Sequence, residues 1–296
     1  MFLGWRSDSR ESRLMTHQID LPPERKPGSV DEAVAQSEAR AASLKAQAEA
    51  AAKDVAIWKD LQSYRSNHWW FHLRALFERE AKFFSALRES EAPVIGELEG
   101  LFREAKTHTD ELLHELPRNI EQMAERHGLA LDHSRSAHPK YQFREGFLTL
   151  EIDSAKRIAR LKDYEEKLAE MPPDIEAIAR SIKQHDERLF GRAFDGAQFL
   201  EKLRRNYLAL IKKEGKQDGD PIPLRKVARR VVDNERNYRR DEFLIDLSRL
   251  AADGPPATGG YGFEFQQTKD TEQGFLLHGR AGRGMVNLLI FKKVPP

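Results

Sequence analysis

The chain has 296 residues, of which 40% are apolar and 33% charged, and its formal net charge is +1. It contains no cysteine, which excludes disulfide frameworks, thiolate zinc sites and cysteine nucleophiles. No apolar run reaches the roughly 20 residues that a membrane-spanning helix needs. We therefore expect a protein without membrane spans that works in the cytoplasm.

The N-terminal residues 1–29 predict a disordered leader, because Pro22 and Pro27 stand there among scattered charges. Met15 is a candidate start of translation within this leader. Residues 30–91 contain neither proline nor glycine and are rich in alanine, glutamate and lysine. This composition predicts one long helix, with a weakly apolar first half and a second half that packs on other helices.

Further helices are predicted over Val94–Leu116 and Ile120–His127, with an end or a kink at Pro117 and a left-handed stop at Gly128. Within these helices, apolar residues recur at spacings of three and four. Each apolar stripe must find a covering face, so residues 30–127 are expected to form a helical arm and bundle.

The pattern changes to alternation in the middle of the chain. Tyr141–Arg144 and Phe147–Asp153 alternate as strands do, which predicts a small sheet. Ser154–Met171 then predicts a helix, and Asp174 is the expected N-cap of another helix over Ile175–Phe190. Residues 128–194 are thus predicted to be a small β insertion with helices.

The last third of the chain changes from helices to strands. Three amphipathic helices are predicted first, over Asp195–Glu214, Ile222–Asp233 and Tyr238–Asp253. Strand-like runs follow at Gly262–Gln266, Gly274–His278 and Met285–Lys293. The loop Arg280–Gly284, basic and rich in glycine, separates the last two runs.

This order of elements resembles the winged helix-turn-helix superfamily over residues 195–293. The resemblance implies a C-terminal domain at 195–296 that binds DNA or docks a partner chain. The predicted fold class is therefore mainly α: a long N-terminal helical arm and bundle, a small β insertion and a winged-helix-like α+β domain.

The same region is basic, with 14 Lys and Arg against 8 Asp and Glu from Lys202 to Arg249. The resemblance makes the third helix the candidate recognition helix. Guanidinium groups match phosphates and guanine edges bidentately. The candidate nucleic-acid-binding residues are Arg225, Lys226, Arg229, Arg230, Arg236, Arg239, Arg240, Arg280 and Arg283.

Other interpretations of these residues stay open. Asp233, Glu235, Asp241 and Glu242 stand among the arginines, so the region can equally be a solvated charged face or a surface that docks a protein. Asp241, Glu242 and Asp246 also allow an unrecognised acidic active site. His68 and His72 share a helix face, but their aromatic neighbours favour packed histidines over a metal site.

The leading hypothesis is a non-enzymatic DNA-associated or adaptor protein without metal or cofactor, whose helical arm mediates assembly into an oligomer or complex. One alternative, an analogy of architecture, is an accessory subunit of an SMC-like or other DNA-acting ATPase, as in bacterial genome defence. The other alternative is an enzyme that uses the acidic cluster.

Overall fold

The computed structural model describes residues 28–267, 274–279 and 285–294. The chain divides into two compact units, Met1–Ser63 and Tyr64–Pro296. As predicted, the described residues are mainly helical, with two small antiparallel sheets. None of the described helices is long and apolar enough to cross a lipid bilayer.

The predicted helix over residues 30–91 is divided into three, so the prediction of one helix was wrong. The helices are α1 (Val30–Ser66), α2 (Trp70–Arg79) and α3 (Ala81–Glu89). At the first break His68 has a φ of 54°, a left-handed conformation that a helix cannot continue through. The sequence has no proline or glycine at this break. The carboxylate of Asp174 stabilises the break instead, by accepting the backbone N–H groups of Phe71 and His72.

Helix α4 runs from Ile95 to Arg126 and passes through Pro117, where the sequence predicted an end or a kink, so the helix does not end there. Proline removes one N–H bond from a helix, but Leu116 and Ile120 on either side of it are fully buried. Their burial holds the helix together across the missing bond. The predicted stop is confirmed, since Gly128 follows the helix with a φ of 62°.

The first sheet is an antiparallel meander with the strand order β1-β2-β3-β4. Its strands are β1 (Lys140–Phe143), β2 (Leu148–Asp153), β3 (Ile158–Lys162) and β4 (Lys167–Met171). The first two confirm the predicted strands, but the helix predicted over Ser154–Met171 was wrong. Asp163 closes the β3–β4 turn instead, because its Oδ1 accepts the N–H groups of Glu165 and Glu166 at 2.7 and 2.6 Å.

The helices that follow agree closely with the sequence pattern. They are α5 (Ile175–Phe190), α6 (Gly196–Glu214), α7 (Leu224–Asp233) and α8 (Arg240–Asp253). Asp195 caps α6 by accepting the N–H of Gln198 at 3.0 Å. Helix α7 begins two residues later than predicted because Ile222 and Pro223 pair with the last strand as β5.

The second sheet has the strand order β5-β8-β7-β6. Its other strands are β6 (Ala257–Thr258), β7 (Tyr261–Gln266) and β8 (Leu288–Lys293). Gly259 and Gly260, with φ values of 56° and 79°, form the tight turn between β6 and β7. The strand predicted over Gly274–His278 was wrong, since the described residues of this segment form no strand and pair through one isolated bridge, Phe275 with Val286.

Both sheets and helices α4 to α8 contribute to one hydrophobic core. Phe147 from the first sheet, Tyr207 from α6 and Phe243 from α8 are fully buried in it. The β3–β4 turn therefore lies in the same packed unit as the basic residues of α7 and α8.

Candidate nucleic-acid interface

Helix α8, the helix expected to read DNA, is mostly covered. Nine of its 14 residues are buried, Ala252 and Asp253 at its C-terminal end are exposed, and Arg240 at its start is partly exposed. Arg249 near its end donates hydrogen bonds to the carbonyl oxygens of Phe190 and Arg192, which lie at the end of α5 and just after it. An α-helix that enters a major groove must present a bare face. Helix α8 therefore offers DNA a single cation of its first turn, the partly exposed Arg240.

The acidic residues of α8 are buried in a network of ion pairs. Arg188 of α5 contacts Asp241 at 3.0 Å and Glu242 at 3.3 Å. Arg192 contacts Asp246 at 2.6 Å, and the hydroxyl of Tyr238 donates to the same carboxylate at 2.6 Å. Each of these carboxylates is thus already paired with an arginine of the same chain, and Asp246 also with a phenol. This pairing favours a structural role for the three carboxylates.

Two of the predicted DNA-binding arginines, Arg225 of α7 and Arg240 of α8, converge on one carboxylate. Arg225 donates from Nη1 and Nη2 to Glu165 Oε2 and Oε1 at 2.8 and 3.0 Å. Nη2 of Arg240 donates to the same Oε2. Glu165 lies in the β3–β4 turn, and burial raises its pKa while the charge of Arg240 opposes that shift.

An aromatic ring and a carbonyl group orient the same two arginines. The guanidinium groups of Arg225 and Arg240 lie over the ring of Phe275, 4.8 and 5.3 Å from its centre. Arg225 Nη2 also donates to the carbonyl oxygen of Gly274 at 2.9 Å. The two guanidinium groups are therefore held in fixed orientations.

The rest of α7 turns a basic face to solvent. Lys226 is exposed and contacts Glu214 at 2.6 Å. Arg229 is exposed, and no ion pair joins it to another residue in the described part of the chain. Nε of Arg230 is buried without a hydrogen-bond partner there. The four basic residues predicted on this helix thus lie on or beside its solvent-facing side.

A surface depression of about 450 Å³ lies on this face. Four cationic residues and one carboxylate line it, together with two apolar residues: Arg225, Lys226, Arg229, Arg240, Asp233, Ala228 and Val232. The structure therefore brings three of the α7 candidates together with Arg240. We call this depression the α7 basic face.

The remaining candidates lie elsewhere or outside the described residues. Arg236 and Arg239 are exposed in the connection between α7 and α8. The backbone N–H of Arg239 donates to Glu242 Oε2 at 2.8 Å, which fixes the start of α8. Arg280 and Arg283, at the tip of the predicted wing, lie outside the described ranges.

Sequence reasoning missed two basic residues of α6. Lys202 and Arg205 line a second depression, of about 270 Å³, on which Arg230 of α7 also lies. Lys202 contacts Glu235 at 2.7 Å, whereas Arg205 is exposed. Their spacing of three places them on one side of the helix, which is a signal that the sequence carries.

The two histidines once considered for a metal site are not equivalent. Nδ1 of His72 lies 2.6 Å from a carboxylate oxygen of Asp174, whereas His68 is exposed. Within the described ranges no three His, Asp or Glu side chains are grouped so that they could hold a metal ion. No metal is assigned to this part of the chain.

Comparison with known proteins gave no match: no family model, no curated protein and no solved structure matches this chain. Its function must therefore be inferred from the chemistry of its own surface.

Proposed function

We propose that this chain is a non-enzymatic DNA-associated protein whose C-terminal unit is winged-helix-like and holds DNA through the α7 basic face. The order of elements supports the winged-helix-like assignment, since α6, α7 and α8 precede the antiparallel pair β7 and β8. A DNA-binding surface is the use that best fits an exposed cluster of arginine and lysine on such a unit.

The α7 basic face is the observation that carries the proposal. Arginine and lysine at a solvent-facing depression attract the phosphates of a nucleic acid backbone. Asp233 is the one carboxylate among the residues that line the depression. Outside the lining, Glu214 contacts Lys226, and Glu165 contacts both Arg225 and Arg240. Arg229 is the residue most available to a phosphate, because it is exposed and has no ion pair within the described residues.

The burial of α8 determines the type of DNA contact that we propose. Contacts to phosphate position a protein on DNA but carry no sequence information, whereas base edges must be read from within a groove. With α8 covered, the accessible cations nearest to it are those of α7, those of the α7–α8 connection and Arg240. We therefore propose binding that is independent of DNA sequence.

Charge reversal on the α7 basic face tests this proposal. Fluorescence anisotropy would compare the wild type with a Lys226→Glu/Arg229→Glu double variant on a labelled duplex. The matched control is Lys156→Glu/Lys183→Glu, which changes the net charge equally at two exposed positions away from α7. We expect the α7 variant to lose at least about tenfold in affinity and the control far less. Equal losses in the two variants would refute a defined interface.

The second part of the proposal concerns assembly through α1. Four large apolar side chains on this helix are between 45% and 79% exposed: Val30, Val34, Leu44 and Val55. A surface helix that leaves such residues in water is typical of one that packs on another chain. We propose that α1 mediates self-association or contact with a partner subunit.

A further inference from the structure

Arg225 and Arg240 have the geometry of an anion site that already contains an anion. Two guanidinium groups from different helices point at the same Glu165 carboxylate. The Glu165 side chain is only 14% exposed, so its charge is largely removed from water. Burying a carboxylate is unfavourable unless cations compensate for it, and here two do.

Contacts other than Glu165 also orient this site. Phe275 lies under both guanidinium groups, and the Gly274 carbonyl oxygen accepts from Arg225. A pair of guanidinium groups held in this way matches a phosphate as well as a carboxylate, because both anions offer paired oxygens to parallel N–H donors. The two arginines also line the depression that contains Arg229, the exposed arginine of the α7 basic face.

We infer that Arg225 and Arg240 form a phosphate site in which the Glu165 carboxylate occupies the place of a backbone phosphate. This inference rests on the proposed function, since the phosphate is that of DNA bound to the α7 basic face. DNA must displace Glu165 before these two arginines contribute to binding. The β3–β4 turn therefore acts as an internal competitor that weakens the DNA affinity of the wild-type chain.

The effect of removing the Glu165 carboxylate on DNA affinity distinguishes a competitor from a purely structural ion pair. A purely structural contact, once removed, lowers stability and leaves the DNA affinity unchanged or lower. A competitor, once removed, raises the affinity. It also steepens the salt dependence, because each additional phosphate contact adds about 0.9 to the slope of log K against log salt.

The experiment compares the wild type with Glu165→Gln and a matched control, Glu166→Gln, on one labelled duplex over a range of salt concentrations. Glu166 is the next residue of the turn and is exposed, so its replacement removes the same formal charge from the same place. We expect Glu165→Gln to bind at least about fivefold more tightly than Glu166→Gln, with a slope steeper by about one to two.

Two further measurements keep the outcome interpretable. Thermal unfolding checks that each variant is folded. Glu165→Asp retains the charge but shortens the side chain by one methylene, so it too should raise the affinity, without a change in net charge. If Glu165→Gln does not fold, the DNA affinity of Glu165→Asp tests the inference in its place.

The possible failures are distinguishable. If the wild type binds DNA with a steep salt dependence but the folded Glu165 variants bind no better than Glu166→Gln, the competitor is refuted and the proposed function stands. If none of the proteins binds DNA even at low salt, the proposed function is refuted and the inference with it.

Discussion

The carboxylate of Asp174 accepts three hydrogen bonds from the start of a helix that lies about 100 positions earlier in the chain. It accepts the backbone N–H of Phe71 at 3.0 Å and that of His72 at 2.7 Å, while Nδ1 of His72 lies 2.6 Å away. Asp174 was predicted to cap α5, which it precedes, yet no side-chain cap bond joins it to α5. Its side chain caps α2 instead, which explains how the chain can leave α1 without proline or glycine.

Replacing Asp174 by alanine should destabilise the Tyr64–Pro296 unit by about 1–3 kcal/mol, because two helix N–H groups and an imidazole lose their acceptor. Asp195→Ala is the comparison, since Asp195 caps α6 through a single bond and should lose only about 1 kcal/mol. Urea unfolding followed by circular dichroism measures both changes. Equal losses in the two variants would mean that the remote cap is no stronger than a local one.

The pairing of Arg188 with Asp241 predicts a larger loss. The Asp241 side chain is 2% exposed, so Arg188→Ala leaves a buried carboxylate without its cation. Breaking a buried ion pair from one side typically costs about 3–5 kcal/mol. Arg205→Ala, at an exposed position of α6, is the control and should change the free energy of unfolding by less than about 0.5 kcal/mol. A small effect of Arg188→Ala would show that water reaches this network.

The buried imidazole of His278 predicts a loss of stability in mild acid. Its ring lies 5.6 Å from Phe147 and 5.1 Å from Phe190, and its buried Nδ1 has no hydrogen-bond partner among the described residues. Burial lowers its pKa from 6.5, with Arg144 and Arg249 acting in the same direction and Glu145 opposing them.

The sign of the effect follows from the direction of this shift. Because the folded state takes up the proton less readily than the unfolded state, stability is retained above pH 6.5 and lost as the pH falls through the folded-state pKa. His278→Phe should make the melting temperature less dependent on pH between about 7.5 and 5.5. Burial also lowers the pKa of His185, which the substitution leaves in place. A weaker pH dependence in the same direction should therefore remain in the variant. An unchanged pH profile in the variant would show that His278 is not the titrating group.

The exposed apolar residues of α1 predict self-association or assembly with a partner. Leu44→Glu/Val55→Glu should reduce any oligomer of the purified chain to monomer, because each carboxylate would have to be buried in the helix contact. Sedimentation velocity over a range of concentrations measures the change, with Lys45→Glu, at an exposed charged position, as the control. A wild type that stays monomeric at every concentration would contradict self-association through α1.

Local pattern was enough to predict much of the C-terminal half. Helices α5 to α8 and strands β2 and β7 follow apolar periodicities that the sequence shows directly. The errors arose where distant contacts overrule local preference. The helix predicted over Ser154–Met171 is a hairpin because β3 pairs with β4 on one side and with β2 on the other, and Leu161 is buried in that sheet.

The candidate site, too, could be predicted from the sequence only in part. The basic residues of α7 were visible as a run, and three of them lie on one depression. The position of Glu165 was not visible, because it contacts Arg225 and Arg240 across 60 and 75 positions of the chain. The burial of α8 was also hidden, since Arg188 of α5 and Arg192 just after it pair with the carboxylates of α8 across about 50 positions of the chain.

The salt dependence of DNA binding tests the central claim most directly. The measurement is the dissociation constant of the wild-type chain for two duplexes of equal length and unrelated sequence, at several salt concentrations. Binding through the phosphate contacts of the α7 basic face predicts that log K falls linearly with log salt. It also predicts that the two duplexes differ by less than about threefold. Absence of binding at low salt, or a preference of about a hundredfold or more for one sequence, would contradict the account.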